Sequence, residues 1–192
     1  MATGRALRAI KVGAYPVAMG FGPGGRMAYV ANFGSDSVTP VNLATGRAGQ
    51  AIGVGSGPDA VAVGQGGRRV YVVNGNSQSL GLISARAGRL TGSVKVGYSP
   101  ADVTLAGGTA YVVNTISGTV SRISAVTGRR ARPLSVGLYS YPLVMSVAPD
   151  GVTAAVIDTY GWQVSLVNLR SGRVYKPVNV GEFPVAVAFT QG

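Results

Sequence analysis

One short phrase recurs along this chain at intervals that few architectures accommodate. Tyr71-Val72-Val73-Asn74 returns as Tyr111-Val112-Val113-Asn114, nearly as Tyr29-Val30-Ala31-Asn32, and in altered form as Ala155-Val156-Ile157-Asp158. Val-Gly pairs set the phase. Val12-Gly13, Val54-Gly55, Val96-Gly97, Val136-Gly137 and Val180-Gly181 follow one another at spacings of 42, 42, 40 and 44 residues. A proline comes after each pair: Pro16, Pro58, Pro100, Pro142 and Pro184. Between these marks the apolar residues alternate by two, which is strand periodicity; helical repeats of this length would show a 3.6-residue rhythm.

A strand-rich period near 40 residues predicts four-stranded propeller blades. The second unit divides into strand a (Ala60 to Val63), strand b (Arg69 to Val73), strand c (Leu80 to Ile83) and strand d (Leu90 to Val96). Asn74-Gly75-Asn76-Ser77 turns the chain between b and c, with residue types that tolerate left-handed backbone. The expected fold is all-β, one propeller domain over 1–192. Its units are 12–53, 54–95, 96–135 and 136–179, with partial pieces at 1–11 and 180–192. Residues 5–12 read as a lone strand d and 184–189 as a lone strand a. Such an arc is open, or part of a larger ring, and association of copies through its open blade edges is expected. Pro133 and Pro177 fall in outer strands, where a missing N–H is tolerated. Pro40 falls in strand c of the first unit, so a bulge or shortened strand is expected there.

Composition then limits the chemistry. The 192 residues contain no cysteine and no histidine. This excludes disulfides, thiolate nucleophiles, Cys/His metal sites and Ser-His-Asp triads. Lys+Arg is 17 against 6 Asp+Glu, a formal charge of +11, and only Lys11, Lys95 and Lys176 are lysines. That balance favours anionic partners. No apolar run approaches the ~20 residues that span a bilayer as a helix, and no apolar leader follows the N-terminus.

Up-and-down strands put the d–a and b–c connections on one face and the a–b and c–d connections on the other. The first face collects five of the six acids and most aromatics. Its candidate ligand-binding residues are Tyr98, Asp102, Tyr139, Tyr141, Asp158, Tyr160 and Trp162, because aromatics stack on flat rings and acids orient polar groups. The fourth unit, with Tyr139-Ser140-Tyr141 and Tyr160-Gly161-Trp162, departs most from the repeat. Tyr71 and Tyr111 read as core, and the tetrapeptide asparagines read as bonded to their own turns. The second face gathers eleven arginines, among them Arg68, Arg69, Arg129 and Arg130, as a surface for an anionic polymer or membrane. Specific nucleic-acid reading is not expected, since the aromatics and the arginines lie on opposite faces.

The Val-Gly-x-x-Pro lead, the Tyr-Val-x-Asn centre, the Ser37-Val38 and Thr119-Val120 starts of strand c, and the Thr45-Gly46 and Thr127-Gly128 turns resemble the YVTN-repeat β-propeller family of bacteria and archaea. The resemblance covers Val12 to Phe189. It implies a propeller that usually closes with seven blades, in exported or surface-layer proteins of unknown role, and hence an extracellular or cell-envelope location. The expected function is a non-catalytic scaffold that binds other protein chains or an anionic polymer or surface, with no catalytic residue, metal or cofactor. The alternative is a carboxylate-based hydrolase or lyase on the aromatic and acidic face. The acids recur about once per unit around the arc, an arrangement that does not converge on a metal.

Overall fold

The computed structural model describes residues 8–137 and 141–189. Four antiparallel sheets stand side by side as blades and do not close into a ring. The first is built from β1 (Pro16–Phe21), β2 (Met27–Asn32), β3 (Ser37–Asn42), β4 (Arg47–Ala48) and β5 (Ile52–Gly53). The second holds β6 (Pro58–Val63), β7 (Arg69–Asn74), β8 (Ser79–Ser84) and β9 (Arg89–Lys95). In the third are β10 (Pro100–Ala106), β11 (Thr109–Asn114), β12 (Thr119–Ser124) and β13 (Arg130–Ser135). The fourth comprises β14 (Pro142–Val147), β15 (Thr153–Asp158), β16 (Gln163–Asn168), β17 (Arg173–Val174) and β18 (Val178–Asn179). The strand cut read from the second unit holds to within two residues.

Four of the five recurring prolines open the innermost strand of a blade and sit opposite the last residue of the tetrapeptide: Pro16 with Asn32, Pro58 with Asn74, Pro100 with Asn114, Pro142 with Asp158. A register shift follows every one of them. A first strand residue has no obligation to donate, which suits proline.

The tetrapeptides form the second strand of each blade, buried on both faces. In β7, Val70 and Val72 pack against Tyr29, Val38 and Ile52 of the first blade. Tyr71 and Val73 turn the other way, onto Val103, Val112 and Ile123 of the third. Tyr111, Val113 and Val120 repeat this against Met145, Ala154 and Val156 of the fourth. The near-continuous apolar run is therefore explained by two interblade cores, one on each side. Each such side chain contributes about 1.5–3 kcal/mol of burial.

The asparagines do more than close their own turns. Asn32 accepts a hydrogen bond from Gly13 N at 3.1 Å and donates to Ser37 Oγ at 3.2 Å and Thr39 Oγ1 at 2.9 Å. Asn114 accepts from Gly97 N at 3.0 Å and donates to Thr119 Oγ1 at 3.2 Å and Ser121 Oγ at 2.9 Å. The Val-Gly, the Asn and the Ser/Thr of strand c are thus one buried network. A Cβ on Gly13, Gly55 or Gly97 would lie 2.7–2.9 Å from the asparagine amide carbon, so these glycines are fixed by close approach. The second blade carries Gly81 where the others place Thr39, Ser121 or Ser165, and Asn74 Oδ1, whose counterparts accept from Gly13 N and Gly97 N, is buried without a partner.

Pro40 overturns its expectation in an informative way. Strand β3 is neither bulged nor shortened; it runs six residues in register with β2. Gly49 N donates to the Pro40 carbonyl at 2.7 Å, so the side of Pro40 that lacks an N–H faces the outer strand. N–H and C=O of one strand residue point to the same neighbour, and the break falls there: the outer strand is split into β4 and β5. Pro177 likewise lies in the gap between β17 and β18 rather than within a strand. Pro133 stands exposed inside β13, in an outer strand as expected.

The terminal pieces lie in blade positions without forming ladders. Ile10 and Val12 cover Ala28, Val30 and Val41 of the first blade. At the other end the Pro184 carbonyl accepts from Thr159 Oγ1 at 2.9 Å, as the Pro142 carbonyl accepts from Thr115 Oγ1. The lone strands expected at 5–12 and 184–189 are not formed over their described parts, 8–12 and 184–189, because neither segment pairs with a neighbouring strand. Val17, Met19 and Phe21 on the first blade, and Leu166, Val178 and Val180 on the fourth, are exposed.

Candidate functional site

Two positions on the d–a and b–c face adopt left-handed backbone in successive blades. One immediately precedes the repeat proline: Tyr15 (φ 48°), Gly57 (64°), Ser99 (50°), Tyr141 (46°) and Phe183 (50°). The other ends the b–c connection: Asp36 (47°), Gln78 (51°), Gly118 (59°) and Trp162 (56°). Glycine occupies each only once. Elsewhere a side chain holds a conformation that costs L-residues roughly 1–2 kcal/mol.

At the fourth blade these positions bring three rings, Tyr141, Trp162 and Phe183, together with that of Tyr160. Tyr141 and Tyr160 meet edge-to-face with centroids 5.2 Å apart. Phe183 packs against Tyr160 at 6.3 Å and Trp162 at 6.2 Å, both edge-on. These are attractive ring geometries, yet all four rings remain between 41 % and 66 % exposed. Asp158 lies beneath the cluster, buried at the end of β15 in the place of the repeat asparagine. Its Oδ1 accepts from Gly161 N at 2.7 Å, which shapes the loop between Tyr160 and Trp162. Burial pushes its carboxyl up; the Gly161 and Tyr160 N–H groups pull it down more weakly.

The structure therefore assembles Tyr141, Tyr160 and Trp162, with Asp158 as their support. Phe183 completes the group, a participant that the candidate residues did not include. Tyr139 lies outside the described residues. Tyr98 is exposed on the same face but stands apart, with its N–H donated to Ser117 Oγ at 2.7 Å. Asp102 sits inside β10 and joins blades. Its Oδ1 accepts from Val103 N at 2.8 Å and its Oδ2 from Met145 N, in the fourth blade, at 3.0 Å. Burial raises its pKa against those two bonds. Asp36 makes an equivalent link, accepting from Gly57 N at 2.8 Å. No cluster of three metal-ligating side chains occurs among the described residues.

On the opposite face Arg68, Arg69, Arg129 and Arg130 are exposed. Arg69 is held: its Nη1 donates to the carbonyls of Ala125 at 2.6 Å and Val126 at 2.9 Å. Tyr71, buried in the core as expected, reaches the Ala125 carbonyl with its hydroxyl at 3.0 Å. Burial pushes that hydroxyl up, and the Arg69 guanidinium opposes the shift. No helix among the described residues is long and apolar enough to cross a membrane.

No protein-family model matches the chain, and no curated protein does. Solved structures do. Hydrazine synthase of Kuenenia stuttgartiensis superposes with a TM-score of 0.81 at 25% identity, over 92% of this chain and 52% of that one. Virginiamycin B lyase of Staphylococcus aureus gives 0.76 at 13%, over 87% and 56%. A 6-phosphogluconolactonase-like protein of Bacteroides uniformis gives 0.76 at 17%, over 91% and 57%. All three neighbours are β-propeller-like. The fold is an arc of a β-propeller. It spans about half the length of the structures it matches. The aromatic cluster is thus a feature of the propeller's loop face, at the last complete blade of the arc.

Proposed function

We propose that this chain is a non-catalytic binding scaffold of the YVTN-repeat propeller type, taking its ligand on the loop face that bears Tyr141, Tyr160, Trp162 and Phe183. The observation that carries the reading is the exposed quartet itself. Three of its four rings sit at positive φ, a backbone the connections impose in every blade and that glycine would fill at least strain, so it is the rings and not the backbone that folding leaves unexplained. The ligand class that fits is a neutral saccharide. Ring faces of sugars stack on tyrosine and tryptophan, whereas a nucleotide's phosphate would meet Asp158 and Glu182 here and find the arginines on the far face. Catalysis is disfavoured by how the acids are used: Asp36, Asp102 and Asp158 each accept backbone N–H groups and hold loops or blades together. Several neighbours carry enzyme names, and those activities belong to those proteins.

Trp162 is the only tryptophan, so its fluorescence reports on the site directly. Titration with neutral oligosaccharides, such as chitin or cellulose oligomers, should give a saturable change that Tyr160→Ala weakens about tenfold, one stacking contact being worth roughly 1 kcal/mol or more. A flat titration for every saccharide tried, or one indifferent to Tyr160→Ala, would refute the assignment.

A second reading concerns the arginine face. Arg68, Arg69, Arg129 and Arg130 are exposed there, and we propose that this face docks on an anionic polymer or surface. Retention on heparin or anionic vesicles should fall steeply with salt; retention unchanged between low and moderate salt would remove the idea. An extracellular or cell-envelope location is also proposed, on the family resemblance alone, and cell fractionation tests it.

A further inference from the structure

On the arginine face, the second and third blades part to leave a cleft of about 570 Å³. We propose that this cleft binds a small organic anion, an oxyanion group carried on a flat apolar body. This goes beyond diffuse docking, because the cleft has walls, anchored donors and an apolar floor.

The donors come first. Arg68 and Arg69 both line the cleft. Arg69 is fastened through Nη1 to the Ala125 and Val126 carbonyls, which leaves its Nε and Nη2 donors for a ligand. That anchor removes the rotamer freedom a free arginine would lose on binding. Two tight turns frame the opening. Gly107 and Gly108 both hold positive φ, at 52° and 75°. Their N–H groups have no partner among the described residues, so they add neutral donors of the kind that gather round oxyanions. The apolar part is supplied by Leu105 and Val126, with the buried Tyr71 ring behind them. Val126 is 72 % exposed beside an arginine, an apolar side chain in water that a ligand's body would cover. A carboxylate or phosphate at the arginines with an aromatic body over Leu105 and Val126 uses both the charged and the apolar lining of the cleft. Carboxylates and phosphates match the guanidinium fork equally well.

The experiment is calorimetric titration of the whole chain with benzoate, phenyl phosphate and inorganic phosphate, repeated on Arg68→Gln and Arg89→Gln. Arg68 makes no hydrogen bond that the fold needs, and Arg89 lies exposed on the same face outside the cleft. Phenyl phosphate or benzoate should bind saturably and more tightly than inorganic phosphate. Arg68→Gln should lose about tenfold or more in affinity, as expected for a hydrogen bond to a charged group. Arg89→Gln should stay within about twofold, and the amide resonances of Gly107 and Gly108 should shift on binding. Absence of saturable binding, or equal losses in the two variants, overturns the proposal; equal losses would mean attraction to net charge alone. Because vesicles and heparin are not used, the outcome is independent of the surface-docking reading.

Discussion

The hydrogen-bonded network of the first and third blades makes a sharp prediction about two glycines that look alike in sequence. Gly97 and Gly181 both follow a valine and both stand three residues before a repeat proline. At Gly97 an added Cβ would lie 2.7 Å from Asn114 Cγ and 2.8 Å from Ser117 Oγ. At Gly181 nothing lies within 4 Å. Gly97→Ala must displace Asn114, which is wholly buried. Overpacking of this kind costs about 1–3 kcal/mol. The displaced amide also gives up its bonds to Gly97 N, Thr119 and Ser121, at about 0.5–1.5 kcal/mol each. Allowing for partial relaxation, the sum is about 3–5 kcal/mol, against a total stability of about 5–15 kcal/mol for a domain. For a chain of this length the midpoint falls by roughly 2–4 °C per kcal/mol, hence by on the order of 10 °C. Gly181→Ala should change nothing measurable.

Urea unfolding followed by far-UV circular dichroism, with thermal scans beside it, would measure both. The double variant Gly97→Ala with Asn114→Ala isolates the cause. Removing the amide removes the collision, so the two changes together should cost less than the sum of each alone. If Gly97→Ala stays within 1 kcal/mol of the parent, if Gly181→Ala is equally damaging, or if the double variant is simply additive, then the close approach is not what fixes these glycines.

Two further substitutions test neighbouring parts of the same logic. Gly81→Ser restores the hydroxyl that Thr39 and Ser121 supply in the adjacent blades. It should stabilise the chain by about 0.5–1.5 kcal/mol in the same urea assay, provided the Leu90 methyl, 3.2 Å from the new Cβ, moves aside; a loss of stability would count against the network. Burial raises the Asp102 carboxyl, so the folded chain holds that proton more tightly than the unfolded one. Its contribution to stability is complete below the ordinary value of 3.8 and is lost as pH climbs through the raised value. Asp59 and Asp158 act in the same direction, and Asp150, whose pKa is lowered, opposes them. Comparing the parent with Asp102→Asn cancels the other three: their stability difference should shift in favour of the variant between pH 4 and pH 7, and a constant difference would refute the assignment.

What the residues disclosed in advance, and what they withheld, divides along physical lines. Strands and their order were legible because blade packing imposes two-residue alternation, and because the same Val-Gly, Pro and Asn recur wherever the same geometry does. Why they recur together was not legible: the bond from Gly97 N to Asn114 spans 17 residues, and no local pattern announces it. The proline at position 40 misled because its missing N–H could face either neighbour, and only the register shows that it faces the outer strand.

The site was half visible for a related reason. Counting connections sorts loops onto faces, which put Tyr141, Tyr160, Trp162 and Phe183 on one face; it gives neither a loop's backbone hand nor which rings touch, so the part Phe183 takes in the cluster and the strain at its position stayed hidden. Gly57 was the available clue, since it occupies the position before the proline where Tyr15, Ser99, Tyr141 and Phe183 stand in the other leads. A left-handed residue there is what the d–a connection demands, and glycine meets that demand at least strain. Three of the five leads instead carry an aromatic ring, each at least 41 % exposed and so gaining little from burial. Ser99 shows that the position can be filled without a ring. Folding therefore accounts for the backbone at these positions but not for the rings on it, and the ligand proposed for the ring cluster of the fourth blade would supply the missing reason.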